Sequence, residues 1–161
     1  MDLKKIKILY IDDEMQNLIS FKAVFRIKYT IYTAIGAEEA MKVLKSQPID
    51  IIITDQRMPQ MTGVEFLESI IPEYPDIMRI LLTGYADMNA VIDAVNKGKI
   101  FHYLSKPWNE DELDMTIGRA YEVYRKKIDL LDEKEKLTGD KKQLTATSEQ
   151  LEFLLRQKLL S

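Results

Sequence analysis

Five short apolar runs punctuate the chain: Ile6–Ile11, Thr30–Ile35, Ile49–Thr54, Met78–Thr83 and Phe101–Leu104. Each is rich in β-branched or bulky residues and too short for a buried helix, so each predicts a strand. The third holds Ile49, Ile51, Ile52 and Ile53 around a single Asp50, the pattern of a strand covered on both faces. Between the runs the apolar period changes to three and four. Met15–Ile27 carries Leu18, Ile19, Phe21, Val24 and Phe25, and Ala37–Lys45 carries Ala40, Met41 and Leu44. Val64–Ile71 and Met88–Val95 follow the same spacing, and Lys97-Gly98 makes a helix stop. Strands alternating with helices predict βαβ units, hence an α/β fold with a doubly wound parallel sheet over residues 1–124.

The character changes beyond Pro107, the last of five prolines. From Asn109 only Gly118 and Gly139 argue against one long helix. Tyr121, Tyr124, Ile128 and Leu131 step at coiled-coil spacing, and then Leu130, Leu137, Leu144 and Leu151 repeat at sevens. The seam therefore shifts near Leu130-Leu131. Leucines at that repeat would face water on a lone helix, so residues 125–161 are expected to form a helical extension that pairs as a parallel homodimer. A helix bent at Gly139 is the alternative.

Composition narrows the function classes. With 161 residues, 46% hydrophobic and 30% charged, the chain has one real core and an appendage. It shows no apolar stretch of bilayer length and no signal-peptide pattern, so no membrane partner is expected. The absence of cysteine excludes disulfides, thiolate metal sites and a cysteine nucleophile, and fits a cytoplasmic location. The lone His102, between Phe101 and Tyr103, reads as a strand side chain. A net charge of −3 supplies no footprint for direct nucleic-acid binding.

The candidate chemistry lies at strand ends. Asp55 closes the isoleucine strand, where open α/β sheets bind ligands. The first strand runs out into Asp12-Asp13-Glu14, and in a doubly wound sheet its end neighbours that of the third. Acids there also suit the first turn of a helix, but three clustered carboxylates call for a hard cation such as Mg²⁺. The fourth strand ends in Thr83-Gly84 and the fifth leads to Lys106-Pro107, a hydroxyl and an ammonium. Acid nucleophile, metal-binding acids, hydroxyl and ammonium suit phosphoryl transfer, with Asp55 forming an aspartyl phosphate. No Gly-rich phosphate loop is present, which argues against a nucleotide substrate.

In that order and spacing, Asp12-Asp13, Asp55 with Met58-Pro59, Thr83-Gly84 and Lys106-Pro107 resemble the receiver domain of two-component response regulators, over residues 5 to about 124. The resemblance implies a flavodoxin-like five-stranded sheet of order 2-1-3-4-5 with an extended C-terminal helix. It implies that a sensor histidine kinase or phosphotransfer protein is the phosphoryl donor, and that the domain catalyses its own phosphorylation and dephosphorylation without being an enzyme otherwise. Asp12, Asp13, Asp55 and the Arg57 backbone carbonyl would hold Mg²⁺, and Thr83 and Lys106 would contact the phosphoryl oxygens. The Lys106–Pro107 peptide would be cis, and Thr83 and Tyr103 would form a switch acting through the face of helix four, strand five and helix five. Arg57 and Tyr85 would modulate hydrolysis by shielding the phosphoryl group. Trp108 is expected to pack under the start of the fifth helix rather than anchor a partner. A haloacid-dehalogenase-like aspartyl phosphatase would need its nucleophile at the first strand with a second acid two residues on, and Asp12-Asp13-Glu14-Met15 lacks that motif. A flavodoxin-like electron carrier is opposed by acids where a flavin phosphate would sit. An effector domain beyond residue 161 is a further expectation.

Overall fold

In the computed structural model, residues 6–160 are described, with Tyr85 and Leu160 described by backbone alone. The chain forms two units, Met1–Tyr124 and Arg125–Ser161. In the first, five strands, β1 (Lys7–Ile11), β2 (Thr30–Ala34), β3 (Ile51–Asp55), β4 (Met78–Thr83) and β5 (His102–Ser105), form one sheet. All pairings are parallel, in the order β2-β1-β3-β4-β5. Helices α1 (Met15–Phe25), α2 (Ala37–Ser46), α3 (Gly63–Ile70) and α4 (Met88–Asn96) connect the strands, and α5 (Glu110–Leu160) follows the sheet. This is the doubly wound fold that the strand–helix alternation predicts.

Period two in the central strands sorts the core into two layers. Ile8, Tyr10, Ile51, Ile53, Ile80 and Leu82 face α1 and the start of α5, against Phe21, Phe25, Leu113 and Ile117. Leu9, Ile11, Ile52 and Leu81 face α2, α3 and α4, against Leu44, Phe66, Leu67 and Val91. β3 is buried along its whole length, which is why it reads as unbroken isoleucine rather than as an alternation. Trp108 lies edge-on to Phe21, centroids 5.9 Å apart, and beside Phe25 at 5.6 Å, so it packs beneath the start of α5.

Boundaries differ from the sequence pattern where polar groups decide them. β3 begins at Ile51, and Asp50 just before it accepts the Lys7 amide on its carboxylate at 2.9 Å. α1 stops at Phe25, and the exposed Ile27 belongs to the turn into β2. α5 begins at Glu110, with the Asn109 side chain accepting the Glu112 amide at 3.1 Å as its cap. Buried Arg79 on β4 donates to the carbonyls of Lys99 (2.7 Å) and Ile77 (3.0 Å), tying the turn before β5 to the sheet.

Asp114, on the first turns of α5, accepts from Lys28 Nζ at 2.6 Å and from the Tyr29 hydroxyl. Partial burial pushes its pKa up, but these two donors outweigh burial and hold it below the ordinary 3.8. A depressed carboxyl pKa stabilises the fold above its unfolded value and loses that contribution as pH falls through the folded one. Asp114→Asn should therefore melt below wild type at pH 7, with the gap closing as pH drops below about 4. A gap of constant size down to pH 3 would show that the pair contributes packing alone.

In the second unit α5 is continuous through Gly139. Leu130, Leu137, Leu144 and Leu151 are all exposed on it. Among the described residues, no helix is long and apolar enough to cross a membrane.

Candidate functional site

Strand register gathers the chemistry at one edge of the sheet. Ile11 pairs with Thr54, so Asp12 and Asp55 leave β1 and β3 side by side. Asp55 pairs with Leu82, which puts Thr83 one residue further out, and Thr83 pairs with Ser105, just before Lys106. Parallel pairing thus brings together four strand ends that lie far apart along the chain.

Asp12 is fully buried, with three donors on Oδ2 and one on Oδ1. It accepts from the Tyr10 hydroxyl at 2.9 Å, Asn17 Nδ2 at 3.1 Å, the Glu14 amide at 3.0 Å and Lys106 Nζ at 3.3 Å. Asp55 is buried to 8% exposure, and Lys106 Nζ stands 3.0 Å from its Oδ1. The ammonium therefore bridges the two buried carboxylates. Burial pushes the Asp55 pKa above 3.8, with Asp12 adding to the effect and Lys106 opposing it. For Lys106, burial alone would lower the pKa, yet Asp55 and Asp12 together hold it above 10.5, so it stays protonated. Burial, followed by the Asp12 charge and hydrogen bond, also pushes Tyr10 far up, which keeps its hydroxyl a donor.

Asp13 is exposed at the rim, and one carboxylate oxygen from each of Asp12, Asp13 and Asp55 lies within 4.8 Å of the others. This all-oxygen donor set suits a hard divalent cation that keeps part of its hydration. Thr83 is buried, and its hydroxyl donates to the Gly84 carbonyl at 3.0 Å. Tyr103, half-buried, packs on the α2–α4 side of the sheet with its ring centroid 5.9 Å from that of His102. The Lys106–Pro107 peptide is cis. The Arg57 guanidinium lies at the cleft mouth, with Nε donating to Asp87 at 3.2 Å. The Tyr85 side chain lies outside the described residues.

Several supporting residues escape a reading of strand ends. Gln56 is buried, and its carbonyl and side-chain oxygen accept the amides of Gly63 and Val64, each at 2.9 Å. Thr62 and Glu65 form a reciprocal capping box that starts α3, a Thr-x-x-Glu signal visible in the sequence. Tyr10, Asn17 and Asp87 announce themselves only once the chain is folded.

A five-stranded parallel sheet of this order, with acids and a lysine converging at its C-terminal edge, defines the receiver class. The family model described as the response regulator receiver domain matches residues 8–117, and the chain belongs to that family. It is 37% identical over 123 residues to the hydrogenase transcriptional regulatory protein HoxA of Cupriavidus necator, covering 76% of this chain and 26% of that protein. The signal receiver domain of an HD domain-containing protein from Pseudomonas fluorescens Pf-5 superimposes with a TM-score of 0.71 at 34% identity, covering 76% of this chain and 98% of that one. A structure titled adenylate cyclase, from Rhodopirellula baltica, gives 0.73 at 30% identity, covering 81% and 95%. The chain spans about a quarter of the length of the curated relatives it matches.

Proposed function

We propose that residues 1–124 act as a cytoplasmic phospho-acceptor, taking a phosphoryl group on Asp55 from a sensor histidine kinase or phosphotransfer protein, and that residues 125–161 relay the result. The observation that carries this reading is the Lys106 ammonium held between the buried carboxylates of Asp12 and Asp55. An Asp55 oxygen would attack phosphorus, the phosphorus–nitrogen bond of the donor would break, and its electron pair would stay on the imidazole. Lys106 and Thr83 would meet the phosphoryl oxygens. Asp12, Asp13, Asp55 and the Arg57 carbonyl would hold Mg²⁺, which would supply positive charge against the phosphoryl group. Hydrolysis would return Asp55, with water attacking phosphorus and inorganic phosphate leaving.

Thr83 would turn from Gly84 toward the phosphoryl group, and Tyr103 would repack behind it, biasing a two-state face of α4, β5 and α5. The heptad leucines of α5 support a parallel homodimer as the output, and the greater length of the relatives supports an effector module as its recipient. A haloacid-dehalogenase-like phosphatase is not favoured.

Incubation with a small acyl phosphate and Mg²⁺ should add one phosphoryl group, mapped to Asp55, and Asp55→Asn should take none. An unmodified wild-type chain would overturn the reading. Light scattering of the same samples should find a dimer, and a monomer both before and after phosphorylation would overturn the relay through paired helices.

A further inference from the structure

One leucine per heptad is half a seam, and a second heptad position has to complete it. Along the outer part of α5, Leu130, Leu137, Leu144 and Leu151 stand between 57% and 72% exposed. Lys127, Lys134 and Lys141 each lie three residues before one of these leucines. Every position three or four residues from those lysines holds Val, Tyr, Leu or Thr, so none has a carboxylate beside it on its own helix. The Thr138 and Thr145 hydroxyls there donate to the carbonyls of Lys134 and Lys141, at 2.9 and 3.0 Å. Immediately before Lys134 and Lys141 stand two acids, Glu133 and Asp140. Among the described residues none of these four charges forms an ion pair, whereas Arg125 and Asp129 on the same helix do.

Resting on the paired-helix reading above, we propose that this surface recognises a second copy of the chain through a charge ladder across the leucine seam. Lys134 meets the partner's Glu133, and Lys141 meets the partner's Asp140. With leucine at heptad position d, these lysines fall at a and the acids at g. In a parallel pair an a residue packs beside the partner residue that precedes its own counterpart, which is that g position. Lysine suits the place, because its methylenes lie along the leucines and carry the ammonium out to the rim. The opposite phase, leucine at a, would leave Glu133 and Asp140 at d, where short carboxylates stay in the seam without partners. Charge also rejects the wrong arrangements. An antiparallel pair sets the g edges of the two helices against each other, acid facing acid. A slip of one heptad sets Lys134 of one helix against the partner's Lys126. The ladder thus fixes parallel orientation and an unstaggered register, which the leucine repeat alone does not.

Charge exchange in the full chain tests the ladder, with self-association measured by analytical ultracentrifugation in the phosphorylation state where wild type pairs. One variant carries Glu133→Lys with Asp140→Lys, and the other carries Lys134→Glu with Lys141→Glu. Lysine and glutamate are both good helix formers, so α5 keeps its helix in each. Each variant alone sets like charges across the seam and should dimerise about tenfold more weakly than wild type. Mixed in equal amounts, they restore every opposite-charge contact and should form a heterodimer about as tight as the wild-type dimer. Either variant pairing alone as tightly as wild type would overturn the proposal, and so would a mixture no tighter than its components. A Glu133→Lys, Asp140→Lys chain that pairs more tightly than wild type would overturn it in favour of antiparallel helices. Wild type that stays monomeric both before and after phosphorylation would overturn the paired-helix reading itself, an outcome distinct from the other three.

Discussion

Gly63→Ala should cost about 3 kcal/mol of stability and lower the melting temperature by about 10 °C. A Cβ built on Gly63 would stand 2.4 Å from the Asp55 carbonyl oxygen and 2.7 Å from Leu81 Cδ1. The first contact is backbone, at the last residue of a strand buried on both faces, and cannot swing aside. Nor is α3 free to retreat. The Gly63 and Val64 amides are bound by Gln56, and the Thr62–Glu65 capping box fixes where the helix begins. Relief would have to pull Val64, Phe66 and Leu67 out of the core or displace Asp55 itself. Phosphoryl uptake should consequently fall along with stability. Gly84→Ala is the contrast: a Cβ there meets nothing within 4 Å, so its stability should stay within about 0.5 kcal/mol of wild type. Denaturant unfolding of both variants measures the difference, and a Gly63→Ala midpoint equal to that of Gly84→Ala would refute the close-approach argument.

Much of the architecture was legible in the sequence for a physical reason. A sheet covered on both faces demands unbroken apolar strands, so Ile51–Ile53 and Ile80–Leu82 stand out against helices whose apolar residues recur at three and four. The polar groups that end those strands are then conspicuous, and Asp12, Asp55, Thr83 and Lys106 could be marked before any coordinates. Less visible were the residues that hold them. Gly63 looks like any loop glycine until the distance to Asp55 is known. Tyr10 reads as a core aromatic, stacked at 4.1 Å on Phe21, and only its hydroxyl reveals the bond to Asp12. Asp87 sits 30 residues from Arg57, and no local pattern announces a partner at that separation. Periodicity reports which side of an element is buried; it carries no information on which polar atoms meet across loops.

Lys106→Met should reduce phosphoryl uptake by about 100-fold or more, because it removes a charge placed where negative charge accumulates. With the ammonium gone, Asp12 and Asp55 face each other without a counter-charge, at a cost of about 1–3 kcal/mol at pH 7.5 after allowing for partial solvent exposure. The sign of the pH dependence follows from the two shifts. Lys106 has a raised pKa, so its contribution is complete below 10.5 and is lost only as pH rises through its folded value. Across the neutral range that contribution is constant. Asp55 also has a raised pKa, caused first by burial and opposed by Lys106, so removing the lysine raises it further. A carboxyl whose folded pKa exceeds its unfolded one destabilises the fold when ionised, and protonation relieves it. In the presence of a chelator, the melting gap between Lys106→Met and wild type should therefore be widest near pH 8 and shrink toward pH 5. Adding Mg²⁺ at pH 7.5 should narrow it as well, since a cation among the three carboxylates replaces the missing charge. A gap indifferent to both proton and metal would mean that Lys106 acts through its aliphatic stem, and that the carboxylates need no cation to coexist.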